Sequence, residues 1–285
     1  MSILLGRSPG RPTPEAAPAH TGSRTTRILG AVTLAGVVGL CLCAFIFSPP
    51  DSRPGPEAGT RIGQFDAVRL MYVHVPAAIW TYVALGTCAM ASAVYLWRRS
   101  AWWDRLAHAC AEIGVVLCAI TLITGMIWGR PVWGTWWEWG DVRLVTTLVL
   151  FLVYAGYLAM RSVPAAPEAR ARRASILGLG GAVLIPIVNR SVEWWENRTL
   201  HQQSTLEELR IEDLTLFTLV LGIFVMGVLA LWLAVHRFRL AWLEAEAESA
   251  GLRAALAERR AEAAEPAAPT AGSGEGTPSA GAAGS

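Results

Sequence analysis

Six apolar runs, separated by short segments rich in arginine and tryptophan, dominate this chain. Runs of about 20 apolar residues cross a hydrocarbon core of ~30 Å as helices. The pattern therefore predicts an all-α integral membrane protein: six transmembrane helices with a Trp-rich external loop region. The spans are expected at about residues 27–47, 77–97, 106–128, 142–160, 174–189 and 212–235. The fifth is short and carries Gly178, Gly180, Gly181 and Pro186, so it crosses only if nearly perpendicular or supported by neighbours. Residues 1–26 and 266–285 are low-complexity and read as disordered, solvated ends. Residues 237–265, rich in Ala, Glu and Arg, read as a helix leaving the last span. The expected division is thus a head (1–26), a membrane domain (27–236), a cytoplasmic helix (237–265) and a tail (266–285).

Composition supports this layout: 53% of residues are hydrophobic and 16% charged, with a mean hydropathy of +0.40. The net charge of +2 gives no ground for a nucleic-acid partner. Its distribution is more informative. One set of span ends holds Arg24, Arg27, Arg98, Arg99, Arg105, Arg161, Arg170, Arg172, Arg173, Arg237 and Arg239. The other holds Arg53, Arg61, Arg69, Arg130, Arg143, Arg190, Arg198 and Arg210, offset by acids. The positive-inside rule then places both termini in the cytoplasm and turns residues 48–76, 129–141 and 190–211 to the external face. The head has no apolar core and is not expected to act as a signal peptide. All five cysteines (Cys41, Cys43, Cys88, Cys110, Cys118) fall in apolar runs without a C-x-x-C pair, which suits small buried hydrophobes.

The external segments carry the candidate chemistry. Trp133, Trp136, Trp137 and Trp139 fall within seven residues, far denser than an ordinary interfacial belt. Such a cluster is expected to form a broad π surface for a large planar ligand. Two histidines share that face. His74 lies in Met71-Tyr72-Val73-His74-Val75-Pro76, where Pro76 suits a first helical turn and pushes Val75 toward an extended shape, leaving His74 just outside the second helix. His201 follows Trp194-Trp195 in the third segment. Neutral imidazole is a common axial ligand of haem iron, and two can close both axial positions. Propionates of a porphyrin held there would meet arginines at span ends: Arg69, Arg130, Arg143 and Arg190. A solvated interfacial histidine remains the plainer alternative. A zinc site would have to add Glu193, Glu196 or Asp141, and haem embedded within the bilayer would need facing histidine pairs that the spans lack. His20 and His236 read as inert and as a helix-end cation. His108 is expected to bond Glu112 one turn on.

Three blocks resemble the CcmC family of cytochrome c maturation, within the wider group that includes CcsA. Trp133-Gly134-Thr135-Trp136-Trp137-Glu138-Trp139 is similar to the family's W-G-x-x-W-x-W-D haem motif. Met71 to Ala78 resembles its first histidine block, and Ser191 to Trp195 with Thr199 to Gln202 its second. The likeness covers about residues 28–236. It differs in that Gly140 separates Trp139 from Asp141, and in a longer Glu196-Asn197-Arg198 stretch. The resemblance implies haem b held at the external membrane surface by His74 and His201 as axial ligands of the iron. Trp133, Trp136, Trp137 and Trp139 become the platform, with Asp141 and Arg143 as further binding residues. It also implies delivery to a CcmE-like haem chaperone that bonds haem through a histidine. The other implied partners are CcmA and CcmB ABC transporter subunits and a CcmD-like small membrane protein, within the bacterial inner membrane and its lipid. A haem-binding transfer protein is therefore expected rather than a conventional enzyme. The alternative is a multi-span transporter for a small anionic solute, suggested by the interrupted fifth span. A passive scaffold using the helix after residue 237 is a third class.

Overall fold

The computed structural model describes residues 22–57, 59–201 and 213–264. The expectations for residues 1–21 (including His20), for 202–212 (including Arg210) and for the tail from 265 lie outside the described residues. Among the described residues, six segments are long and apolar enough to cross a membrane. Helix α1 (Arg24–Leu42) is N-capped by Ser23 and continues as a wider turn over Cys43–Phe47. A hairpin follows, strands β1 (Asp51–Pro54) and β2 (Arg61–Phe65), antiparallel with Asp51 opposite Phe65 and Pro54 opposite Arg61. Then come α2 (Met71–Arg98), α3 (Ala101–Trp133), α4 (Val142–Ser162), α5 (Pro167–Gly181), α6 (Leu184–Trp194) and α7 (Asp213–Ala264). The part of α7 beyond Trp242 is a separate unit, helical with mostly exposed side chains.

Small residues let the helices of the first unit approach closely, which is how apolar helices pack where no hydrophobic gradient separates protein from lipid. Leu85, Cys88 and Ala91 of α2 meet Ala107, Cys110 and Ala111 of α3. Leu150, Tyr154 and Tyr157 of α4, Ala174 of α5 and Val188 of α6 close the same core. A second cluster joins Ala44, Val68, Met71 and Tyr72 to Leu219 of α7.

Several boundaries differ from the sequence expectation, each for a local reason. Helix α2 begins at Met71, so Val75 is helical, Pro76 lies inside the helix, and His74 sits on its first turns rather than outside it. A 3-10 turn over Asp66–Leu70 leads directly into α2 and supplies a preformed first turn. An internal proline costs about 3 kcal/mol through its missing N–H and ring clash. Here it is offset by burial of Met71, Tyr72 and Pro76, and by the Tyr72 hydroxyl bonding Ser48. Helix α3 likewise runs to Trp133, taking in residues expected to be loop. It stops at Gly134, whose φ of +78° is a left-handed conformation that glycine adopts without strain. The fifth span is longer than expected, 28 residues from Pro167 to Trp194, because Pro167 at the first helical position and Glu168 in the first turn start a helix through the arginines. Its break falls at Ala182-Val183, between α5 and α6. Pro186 sits in the first turn of α6, where proline is tolerated.

At the end of the first unit opposite the hairpin, His108 approaches Glu112 at 3.6 Å, but the principal partner of Glu112 is different from the one expected. Both of its carboxylate oxygens accept from Arg237 of α7, whose guanidinium fork matches a carboxylate better than one imidazole does. Arg161 pairs with Asp104 through two bonds of 2.6 and 2.9 Å, tying α4 to α3.

Candidate functional site

The hairpin end of the first unit holds a cavity of about 110 Å³ that opens to the outside. Its walls are mainly apolar, with His74, Arg143, Gln64 and three threonines among them. Helix α3 supplies one wall through a face running Thr121, Gly125, Trp128 and Val132, the three-and-four spacing of a helical stripe.

His74 reaches this cavity from α2. Its Nδ1 lies 3.1 Å from Thr124 Oγ1, and its ring meets Trp128 edge-on with centroids 5.5 Å apart. The ring lies so close to α3 that a Cβ on Gly125 would stand 2.9 Å from His74 Cε1. Only glycine permits that approach. Trp128 is held in turn by its indole N–H donating to Gln64 Oε1 at 2.8 Å, which links the hairpin to the site.

His201 enters from the segment after α6. The stretch Glu196–Arg198 winds into a 3-10 turn, with Arg198 N–H donating to the Trp195 carbonyl. Thr199 to His201 then return toward α4. Asp141 holds them: one carboxylate oxygen caps α4 by accepting from Leu144 N–H at 2.9 Å. The other accepts from Leu200 N–H at 2.6 Å and Thr199 Oγ1 at 3.1 Å. Asp141 is 1% exposed and does not line the cavity; it holds the segment that carries His201. The extra Gly140 is absorbed by a turn in which Asp141 N–H donates to the Glu138 carbonyl and Gly140 N–H to the Glu138 side chain.

The two imidazoles face one space, with ring centroids 6.5 Å apart and planes inclined by 30°. An imidazole nitrogen binds a first-row metal at about 2 Å, so two rings sharing one ion have centroids about 6 Å apart. Trp133 stands 6.0 Å from His201 between ring centroids.

The four clustered tryptophans do not share one surface. Trp133 and Trp137 line the cavity, whereas Trp136 and Trp139 are 54% and 73% exposed and do not. Trp137 and Trp139 meet at 69°, edge to face. The reason is the end of α3: Trp133 is its last residue, and the turns after Gly134 send successive rings in different directions. The Trp137 indole N–H is buried and has no partner among the described residues. Trp194 and Trp195 are exposed and stand outside the cavity.

Of the four arginines expected near a bound anion, Arg143 alone lines the cavity. It donates to the Asn189 carbonyl at 2.7 Å and lies 3.5 Å from His201 Nδ1. Arg69 bonds Asp66 and the Ala44 and Ser48 carbonyls, Arg130 bonds the Gly134 carbonyl at the end of α3, and Arg190 pairs with Glu193. The sequence reading did not single out Gln64, Thr124, Gly125 or Trp128. The stripe on α3 was the available signal, since it carries a tryptophan and a glycine toward the same side as His74.

The family model described as Heme exporter protein C matches residues 13–253. Relatives named heme exporter protein C are 37% identical in three representative cases. That of Haemophilus influenzae aligns over 215 residues, 73% of this chain and 80% of its own length. That of Escherichia coli K12 aligns over 199 residues, 68% and 74% respectively. That of Rhodobacter capsulatus aligns over 215 residues, 74% and 84%. The chain is a multi-pass membrane protein and belongs to the CcmC, or heme exporter protein C, family.

Proposed function

We propose that this protein handles haem for export and cytochrome c maturation, binding haem b at the external face of the bacterial inner membrane. His74 and His201 supply the two axial nitrogens to the iron, and both termini lie in the cytoplasm. Trp133 and Trp137 pack against the macrocycle, and Arg143 with the Trp137 N–H receives a propionate. Trp136 and Trp139, exposed at the rim, meet the incoming chaperone. Asp141 acts through His201. Bound haem is presented to a CcmE-like chaperone, whose histidine displaces one of two reversible imidazole ligands. CcmA/CcmB-like transporter subunits and a CcmD-like small protein complete the assembly.

The observation that carries this reading is the 6.5 Å separation of two imidazoles across an apolar, tryptophan-lined cavity. Purifying the full chain with His74→Ala and His201→Ala tests it. Wild type should retain haem with a sharp Soret band, and each variant should lose most of it. Unchanged haem content and Soret band in both variants would overturn the axial assignment. Uptake of an anionic solute into proteoliposomes that survives both substitutions would favour a solute transporter instead.

A further inference from the structure

We propose that Thr124 is a positioning residue that holds the imidazole proton of His74 on Nδ1, so that the Nε2 lone pair is presented as the ligand atom. The inference rests on the reading of His74 as an iron ligand, but its first step follows from hydrogen bonding alone. Thr124 Oγ1 lies 2.6 Å from the Ile120 carbonyl and 3.3 Å from that of Thr121. Carbonyl oxygens only accept, and the Ile120 carbonyl is the shortest contact of this hydroxyl, so the geometry gives the single hydroxyl proton of Thr124 to α3 itself. The same oxygen lies 3.1 Å from His74 Nδ1 and there accepts. The proton in that contact therefore comes from the imidazole. In the neutral ring, Nδ1 carries the hydrogen and Nε2 does not.

The neighbours keep the ring in that orientation. Gly125 lets the imidazole lie against α3, and Trp128 meets it edge-on from the next turn. Thr124, Gly125 and Trp128 thus form one device on α3, spaced 0, 1 and 4 residues along the helix. Thr124 does not line the cavity, so it acts through His74 and not on the ligand. A second partner of this kind orients a metal-bound imidazole and raises its basicity, and its loss typically costs 10–100-fold in metal affinity.

The test uses the full chain in lipid nanodiscs, first without haem. Nitrogen-15 NMR of labelled histidine, with His74 assigned by its absence in His74→Gln, reports which ring nitrogen is protonated. Wild type and Thr124→Ser should show His74 protonated at Nδ1. Thr124→Val, nearly the same shape, should lose that preference. Haem titration should then show at least about a tenfold weaker affinity in Thr124→Val, restored in Thr124→Ser. Protonation at Nε2 in wild type, or an unchanged tautomer in Thr124→Val, overturns the proposal. So does a changed tautomer with unchanged affinity. A wild-type chain that takes up no haem overturns the reading of the cavity, and with it the role of Thr124; the tautomer measured without haem still reports whether the hydrogen bond itself was correctly assigned.

Discussion

Replacing Asp141 with asparagine separates its two jobs. Asparagine is a good N-cap, so the bond to Leu144 N–H survives and α4 keeps the roughly 1 kcal/mol that a cap contributes. The second oxygen becomes an NH2 group, which cannot accept from Leu200 N–H or from the Thr199 hydroxyl. Hydrogen bonds to a charged acceptor contribute about 1.5–3 kcal/mol each. Because Leu200 and Thr199 are adjacent, the two losses overlap, and about 3 kcal/mol is a reasonable total. Every 1.4 kcal/mol is tenfold, so the equilibrium constant for docking His201 at the cavity should fall by about a hundredfold. Hydrogen exchange at the Leu200 amide reads the docking directly, and haem titration reads its consequence. Asp141→Asn should melt near wild type, lose protection at Leu200 and bind haem far more weakly. The same change in a His201→Ala background should cost nothing further in haem affinity, since Asp141 acts through that histidine. Wild-type protection and affinity in Asp141→Asn, or a full additional loss on top of His201→Ala, would refute the reasoning.

Gly125→Ala places a methyl 2.9 Å from His74 Cε1, an overpacking cost of about 1–3 kcal/mol that the ring relieves by leaving its position; haem retention should drop with a small change in melting temperature. Trp133→Ala and Trp137→Ala should each lower haem affinity more than Trp136→Ala or Trp139→Ala, measured by titration, because only the first pair lines the cavity. Trp137→Phe keeps an aromatic ring, smaller than the indole, and removes the N–H that has no partner among the described residues; it should weaken binding by a smaller amount than Trp137→Ala. Asp104→Ala leaves Arg161, which is 8% exposed, without its carboxylate; thermal melting should show a loss of about 3–5 kcal/mol with haem binding retained.

The six spans were legible because a run of apolar residues long enough to cross a bilayer is a one-dimensional signal. Their ends were not. Pro76 read as a helix start, yet burial of Tyr72 and the turn before Met71 extend α2 past it. That shift places His74 on a rigid helix. The histidine pair was legible from two side chains on one face, each beside aromatics. What orients them was not: Thr124 and Gly125 look like ordinary packing residues until α2 is laid against α3. Glu112 has Arg237 as partner, 125 residues away, and nothing in the local pattern around Glu112 points there. The tryptophan cluster was visible in the sequence as a group, but ring direction after a helix end depends on turn geometry, which sequence spacing does not encode.

Electron paramagnetic resonance of the ferric, haem-loaded full chain tests the central claim most directly. Two imidazole ligands predict a low-spin spectrum, converted to high-spin by His74→Ala or His201→Ala and returned toward low-spin by added imidazole. A high-spin wild-type spectrum, or a low-spin spectrum that survives both substitutions, would contradict it.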